Sequence, residues 1–408
     1  MVSVHRGRAA EPVYRPILTV GRGDLAALRH LDGAAAALIV PVLTVPASRA
    51  TASTSAIPAS SGSGPGDLFR ELPAGLVPAV DLAALPDSGT TFRWWHQDVP
   101  LVPVIGLVDS DDRLAAQGAA ARAQLGWVLV RFRLRSDRWG PDAATGAAER
   151  IWRRAGLVPE QCDLLIDVGD VCCPADVRAT EPRVRRLAGW ARRHAWRSVT
   201  VAAGAVPATL PGLPDDRPVP LVRWDWLLWR NLADLGLGYG DYGISPAVTG
   251  PGAGGSPADR YPADGTMRYT ADGTWWVYRW SRRGGRGDDR VADLCRAVVS
   301  APYWPTVGGA FSWGDHEILR RARGAAGSGS AAIWAAWGTS HHLAHVLAEL
   351  RRPGGPPPPP GRPPSPPVWP PSTASDQRGR ADRPGVRRSR RTGPGGRSAR
   401  PFRDDGPD

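Results

Sequence analysis

The ionisable residues of this chain sit at intervals of two inside apolar runs, and that spacing says which of them share a surface. In 127–134 (WVLVRFRL), Val128, Val130, Phe132 and Leu134 fall on one face of an extended chain, and Leu129, Arg131 and Arg133 on the other. Two guanidiniums on one face, near the C-terminal end of a strand, suit bidentate capture of a carboxylate or phosphate. They suit equally well the pairing of carboxylates inside the fold. The run 163–169 (DLLIDVG) repeats the pattern, with Asp163, Leu165 and Asp167 opposite Leu164, Ile166 and Val168. Asp167, expected beside Arg133, stays ionised next to such cations. It can orient a substrate, act as base, hold a metal, or neutralise Arg131.

Three further segments carry candidate groups. Gly238-Tyr239-Gly240-Asp241-Tyr242-Gly243-Ile244-Ser245-Pro246 threads glycines between two phenols and an acid, a composition suited to a binding rim. Asp241 is expected at the end of its strand, across one mouth from Arg133 and Asp167. Met267-Arg268-Tyr269-Thr270 adds a cation and a phenol. Ser340-His341-His342-Leu343-Ala344-His345 is expected to open a last helix, with Thr339 or Ser340 as N-cap. His341 and His345 share a face as a metal pair would. The sequence offers neither an HExxH glutamate nor a third ligand, so no metal is assigned, and packing is the alternative role for these histidines.

Joined, these groups describe a polar site for an anionic ligand. As an enzyme it would be a hydrolase or lyase acting on a phosphorylated or other anionic substrate. Arg131 and Arg133 would clamp the anion, Asp167 or Asp241 would act as base, and His341 or His342 as acid. Tyr242, Arg268 and Tyr269 would orient the substrate. As a binding protein, the same mouth would recognise an anionic small molecule, a peptide or a nucleic acid. The residues do not decide between enzyme and binder, and they name no cofactor.

The elements that must position these groups alternate strand and helix. Strands are expected at 14–19, 38–45, 101–108, 127–134, 163–169, 198–203, 236–242 and 267–279. Helices are expected at 23–31, 111–125, 144–156, 175–195, 223–234 and 289–300, with a last one at about 340–350. Eight strands with intervening helices predict an α/β fold, a closed (β/α)8 barrel of the TIM type. An open doubly wound sheet is the alternative. The eighth segment reads as a hairpin around Ala271-Asp272-Gly273, an irregularity for a barrel. Between 46 and 100 the helical signal is poor.

Composition bounds the rest. All 51 basic residues are arginine and Asn231 is the sole asparagine, a coding bias that weakens any inference from arginine content. Of the net charge of +12, eight units come from 351–408, which holds 13 arginines against five aspartates. A nucleic-acid reading of the whole charge therefore describes the tail, which is expected to be disordered, rich in proline and arginine, and able to touch acidic surfaces or nucleic acid nonspecifically. Residues 1–12 are also expected to be disordered, and 47–66 and 248–265 to be flexible insertions, leaving 13–350 as one folded body. Four cysteines without a CxxC motif read as free thiols of a reducing, cytoplasmic setting. The apolar run 34–47 is broken by Pro41 and Pro46 and is too short to span a bilayer, so no membrane partner is expected.

Taken in order, Tyr14-Arg15-Pro16-Ile17-Leu18, Gly23-Asp24 with Ala27-Leu28, Pro41-Val42-Leu43, Arg131, Asp167, Trp226 and Trp229, Gly240-Asp241-Tyr242-Gly243, Arg268-Tyr269 and His341-His342 resemble the beta protein family of T-even bacteriophages and its bacterial relatives. The resemblance spans 13–350. It implies a barrel-like fold, a site at the barrel mouth and a phage or mobile-element association, but no established activity. Relatives tend to carry lysines where Thr19 and Gly21 stand and a glutamate where Thr44 stands, which implies weakened catalysis here if those groups are catalytic. These departures favour the binding reading.

Overall fold

Eight short parallel strands close on themselves. β1 (Arg15–Thr19), β2 (Val42–Thr44), β3 (Ala79–Asp81), β4 (Val102–Gly106), β5 (Val128–Arg133), β6 (Cys162–Asp170) and β7 (Ser198–Gly204) pair in chain order. β9 (Gly238–Asp241) completes the ring between β7 and β1. At that seam Arg15 is in register with Gly240, and Pro16 with Asp241. β8 (Val219–Val222) stays outside the ring and forms an antiparallel sheet with β10 (Thr266–Ala271) and β11 (Thr274–Arg279), in the order β10-β11-β8. The helices are α1 (Arg22–Arg29), α2 (Gly33–Ala36), α3 (Asp111–Ala123), α4 (Pro141–Ala155), α5 (Pro174–Ala191), α6 (Trp224–Asn231), α7 (Gly287–Val299), α8 (Trp313–Ala322) and α9 (Ala331–Leu350). This computed structural model describes residues 14–352 apart from 48–67, 89–92, 96–98, 135–139, 209, 211, 215, 248–265, 280–286, 326 and 328. The expectations for 1–12, for 248–265, for almost all of 47–66 and for the tail beyond 352 lie outside the described residues. Every described residue belongs to one compact unit, Met1–Pro359.

The closed barrel is the predicted architecture, and the β1–β9 pairing excludes the open sheet. Two strand assignments differ. The segment 267–279 is not the eighth barrel strand but the β10–β11 hairpin of the outer sheet, and 236–242 supplies the last barrel strand instead. The remaining barrel strand is β3, from the stretch that carried no clear signal. Three residues give barely one alternation, whereas the long aromatic hairpin shows a full period of two, so pattern length ranks them in the wrong order.

Alternation sorts the strand residues as the sequence requires. Val128, Val130, Phe132, Leu164 and Ile166 point outward and share a core with Ala144, Ala148 and Ile151 of α4 and with Val184 and Leu187 of α5. Ile17, Val42, Ala79, Val102, Val104, Leu129, Leu165 and Ala202 fill the barrel's middle. Toward the strand N-termini lies a polar layer in which Arg15 donates to Thr200 Oγ1 at 2.6 Å and to Asp163 Oδ2 at 2.8 Å. The apolar middle separates this layer from a second polar layer at the strand C-termini.

Helix α9 covers the seam. Its Leu343, Val346 and Leu347 pack with Tyr14, Leu18 and Tyr239. It begins at 331 rather than 340: Ser330 is the N-cap, its hydroxyl accepting the Ile333 N–H, and Thr339 and Ser340 lie within the helix. Gly338, inside the helix, is a point of close approach. A Cβ there would come within 2.7 Å of the Arg268 carbonyl oxygen on β10. Among the described residues, no helix is long and apolar enough to cross a membrane, and all four cysteines are free.

Candidate functional site

The C-terminal polar layer is built from three strands and the turn after β9. Leu129, Arg131 and Arg133 are the inward positions of β5, and Asp163, Leu165 and Asp167 those of β6, with Arg133 in register with Asp167. Asp81 ends β3. Tyr242 follows β9 and belongs to the interior cluster. Arg131 donates through Nε to Asp167 at 2.9 Å, through Nη1 to Asp81 at 2.6 Å, and through Nη2 to the Tyr242 hydroxyl at 3.0 Å. Tyr242 in turn donates to Asp167, 2.7 and 2.8 Å from its two oxygens. Arg133 donates to Asp81 at 2.8 Å. Burial pushes the Asp81 carboxyl up, but Arg133 and Arg131, with the Ala83 N–H, outweigh it and hold the group below the usual carboxylate range. Burial, then the Asp167 charge, pushes the Tyr242 hydroxyl well up, so it stays a protonated donor.

Two cations thus meet two carboxylates, and exposure separates them. The side chains of Arg131, Asp81 and Asp167 are at most 4% exposed, whereas Arg133 is 35% exposed. Arg131 spends its Nε, Nη1 and Nη2 on protein partners. Arg133 is anchored by one hydrogen bond to Asp81, its Nε lies 3.8 Å from Asp167 Oδ2, and its side chain stays partly exposed. Asp81 had no clear signal in the sequence, because its strand is three residues long. Its only trace is the alternation Ala79-Val80-Asp81, with Val80 in the outer core and Ala79 in the interior.

Asp241 does not face this mouth, contrary to expectation. On β9 the inward positions are Gly238 and Gly240. A Cβ at 240 would lie 2.8 Å from the Arg15 carbonyl oxygen and 2.9 Å from Ala202 Cβ, so only glycine fits the crowded wall. Tyr239 and Asp241 therefore point outward, under α9. There Asp241 accepts from Tyr14 at 2.7 Å and from the Gly243 N–H at 2.9 Å, and His342 Nε2 lies 2.9 Å from its Oδ2. His342 Nδ1 is 2.8 Å from the Thr270 hydroxyl. Burial, the largest influence, raises the Asp241 carboxyl, but the charge and hydrogen bond of His342, Arg223 and the Gly243 N–H together hold it well below its ordinary value. Burial lowers His342, against the opposing pull of Asp241. The imidazole thus bridges the Asp241 carboxylate through Nε2 and the Thr270 hydroxyl through Nδ1. Carboxylate, imidazole and hydroxyl stand in the order of a nucleophilic relay. However, Thr270 and His342 are fully buried, so the hydroxyl meets no substrate, and the relay ties β10 and α9 to the barrel wall.

His341 belongs to a third group. Its Nδ1 lies 2.9 Å from Asp315 Oδ2 and its Nε2 2.8 Å from the Thr270 carbonyl oxygen. The Tyr269 ring stacks on it at 3.8 Å, and the Tyr269 hydroxyl donates to Asp315 at 2.7 Å. Arg268 donates to the Ile244 carbonyl at 2.6 Å, pinning the turn after β9 against β10. Of the nine candidate residues, Arg131, Arg133, Asp167 and Tyr242 come together at the mouth. Asp241 and His342 form the seam cluster, and Tyr269 of β10 and His341 of α9 join Asp315 of α8 beside the outer sheet. Residues the sequence did not single out complete these clusters: Asp81, Tyr14, Arg223, Asp225, Thr270, Asp315 and Glu349. Among the described residues, no three or more His, Cys, Asp or Glu side chains are placed to hold a metal ion.

Comparisons with known proteins identify a family for the chain. The model of a family described as Beta protein matches residues 14–348. Comparison with curated proteins finds no match. Among solved structures, the chain is similar to triosephosphate isomerase from Bartonella henselae, with 13% identity and a TM-score of 0.30, over 57% of this chain and 92% of that one. The barrel assignment rests on its own closed strand order.

Proposed function

The chain belongs to the Beta protein family, and we propose that its barrel mouth is a binding site for a small anion, a phosphate or carboxylate, held by Arg133. One observation carries the reading: Arg133 is the partly exposed member of a layer whose other charged side chains are buried and mutually paired. Its position at the C-terminal end of a barrel strand is where barrel folds gather their sites. With Arg133 counted, the layer is neutral, two arginines against two aspartates, so it neither repels an anion nor draws one strongly. Two charge-assisted hydrogen bonds at about 1.5–3 kcal/mol each set the expected dissociation constant at about millimolar. The hydrolase reading needs Asp241 and His341 in the same pocket as Arg131 and Asp167, and their separate addresses favour binding over turnover. The phage or mobile-element setting is carried here on the resemblance of the sequence alone.

The test is a titration with inorganic phosphate and with acetate, followed by arginine side-chain NMR and calorimetry, on the wild type and Arg133→Gln. Saturable binding that weakens at least about tenfold in R133Q, a difference of about 1.4 kcal/mol, is the expected result. Equal binding by both proteins, or no binding by the wild type at tens of millimolar anion (roughly ten times the expected constant), overturns the proposal.

A further inference from the structure

The seam cluster contains a buried guanidinium that its surroundings do not satisfy. Arg223, just before α6, is fully buried and donates one side-chain hydrogen bond, from Nη2 to the Tyr239 hydroxyl at 2.7 Å. Three carboxylates surround it without touching it: Asp225 and Asp241 at 3.7 Å from Nη2, and Glu349 at 3.8 Å from Nη1. Glu349, on α9 and 1% exposed, is no better served, with His345 Nε2 at 3.6 Å and Arg352 Nη1 at 3.9 Å. Among the described residues, five here hold buried polar atoms without a hydrogen-bond partner: Arg223 Nε and Nη1, Asp225 Oδ1, Trp275 Nε1, His345 Nε2 and Glu349 Oε2.

These separations are too long for hydrogen bonds and too short for the groups to ignore one another. They fit a single molecule touching both ends. The unmatched set mixes donors (Arg223, Trp275) with acceptors (Asp225, Glu349). An anion would serve only the donors and a cation only the acceptors, whereas water serves both and takes two to four such partners when buried. Leaving each of these groups dry carries a desolvation cost that native structures avoid.

We propose that the joint between α9, the start of α6 and β11 is a hydration site, in which buried water bridges Arg223 Nη1, Glu349 Oε2 and His345 Nε2. The water turns two near-miss contacts, Arg223–Glu349 and His345–Glu349, into a hydrogen-bonded joint that fastens the C-terminal half of α9 to the barrel. The site is distinct from the mouth and does not depend on the anion reading.

A high-resolution crystal structure of the wild type shows the expected density peak within hydrogen-bond distance of Arg223 Nη1 and Glu349 Oε2. In solution, the His345 ring gives exchange-independent cross-relaxation to a long-lived water. Glu349→Gln, which keeps an acceptor, retains that signal, and Glu349→Leu loses it. Should E349L fail to fold, the wild-type density and the wild-type and E349Q spectra still decide. Dry density at this position, with Arg223 and Glu349 left apart or drawn into direct contact, overturns the proposal. So does a wild-type spectrum without the water signal.

Discussion

Replacing Arg131 with leucine tests whether the mouth layer is the buried ion-pair network its geometry describes. The change removes the contacts to Asp167 at 2.9 and 2.7 Å, to Asp81 at 2.6 Å and to Tyr242 at 3.0 Å. Breaking a buried pair by removing one partner costs about 3–5 kcal/mol, because the surviving charge keeps its burial and loses its compensation. Here both survivors keep something. Asp167 retains Tyr242 and the Gly169 N–H, and Asp81 retains Arg133 at 2.8 Å and the Ala83 N–H at 2.9 Å. The expected loss therefore lies at the lower end, about 3 kcal/mol, a large share of the stability of an ordinary domain. Urea unfolding followed by the fluorescence of the chain's 18 tryptophans reads it as a fall in midpoint at unchanged slope. A double-mutant cycle with Asp167→Asn isolates the pair. The double variant is expected to lose less than the sum of the singles, by about 1–3 kcal/mol. A loss below about 1 kcal/mol for R131L, or additivity within about 0.5 kcal/mol, would refute the argument, since the layer would then behave as a solvated surface.

Three further outcomes follow from the seam. Asp241 is held down to about 2, so its contribution is fully present above the unfolded carboxylate range and is lost as pH falls from about 4 to about 2. Asp241→Asn is expected to flatten unfolding free energy against pH in that window and, by removing the pull of Asp241 on His342, to steepen the loss of stability as pH drops below about 6.5. His342 is held below its ordinary value, so the unfolded chain takes up a proton first, and stability falls as pH drops below about 6.5. His342→Gln, which keeps both a donor and an acceptor, should reduce that slope by up to about 1.4 kcal/mol per pH unit, while an unchanged slope would mean the imidazole is charged in the fold. Gly240→Ala forces a Cβ within 2.8 Å of the Arg15 carbonyl and 2.9 Å of Ala202 Cβ. A loss of about 1–3 kcal/mol by urea unfolding is expected, and a neutral result would show that the β1–β9 seam yields.

The strands that were legible in the sequence are those whose two faces differ in chemistry. On β5 and β6, aliphatic residues alternate with charged ones, so the outer cores and the Arg131–Asp167 contact follow from a period of two. β3 offers three residues, and Asp81 became visible as a site residue only through its hydrogen bonds to Arg131 and Arg133. β9 fails for a different reason. In Gly238-Tyr239-Gly240-Asp241 neither face is aliphatic, so alternation separates Tyr239 and Asp241 from the glycines without saying which set is inside. Reading the acid as the functional face sends Asp241 to the mouth. Crowding decides otherwise, because the inner wall at this seam holds the Arg15 backbone and Ala202 within 3 Å of any Cβ and can accept only glycine. Alternating glycine in a barrel strand is therefore itself a signal for the inward face. It places the large polar residues outside, and with them the His342 relay and the Arg223 cluster, while Arg133 lies at the mouth.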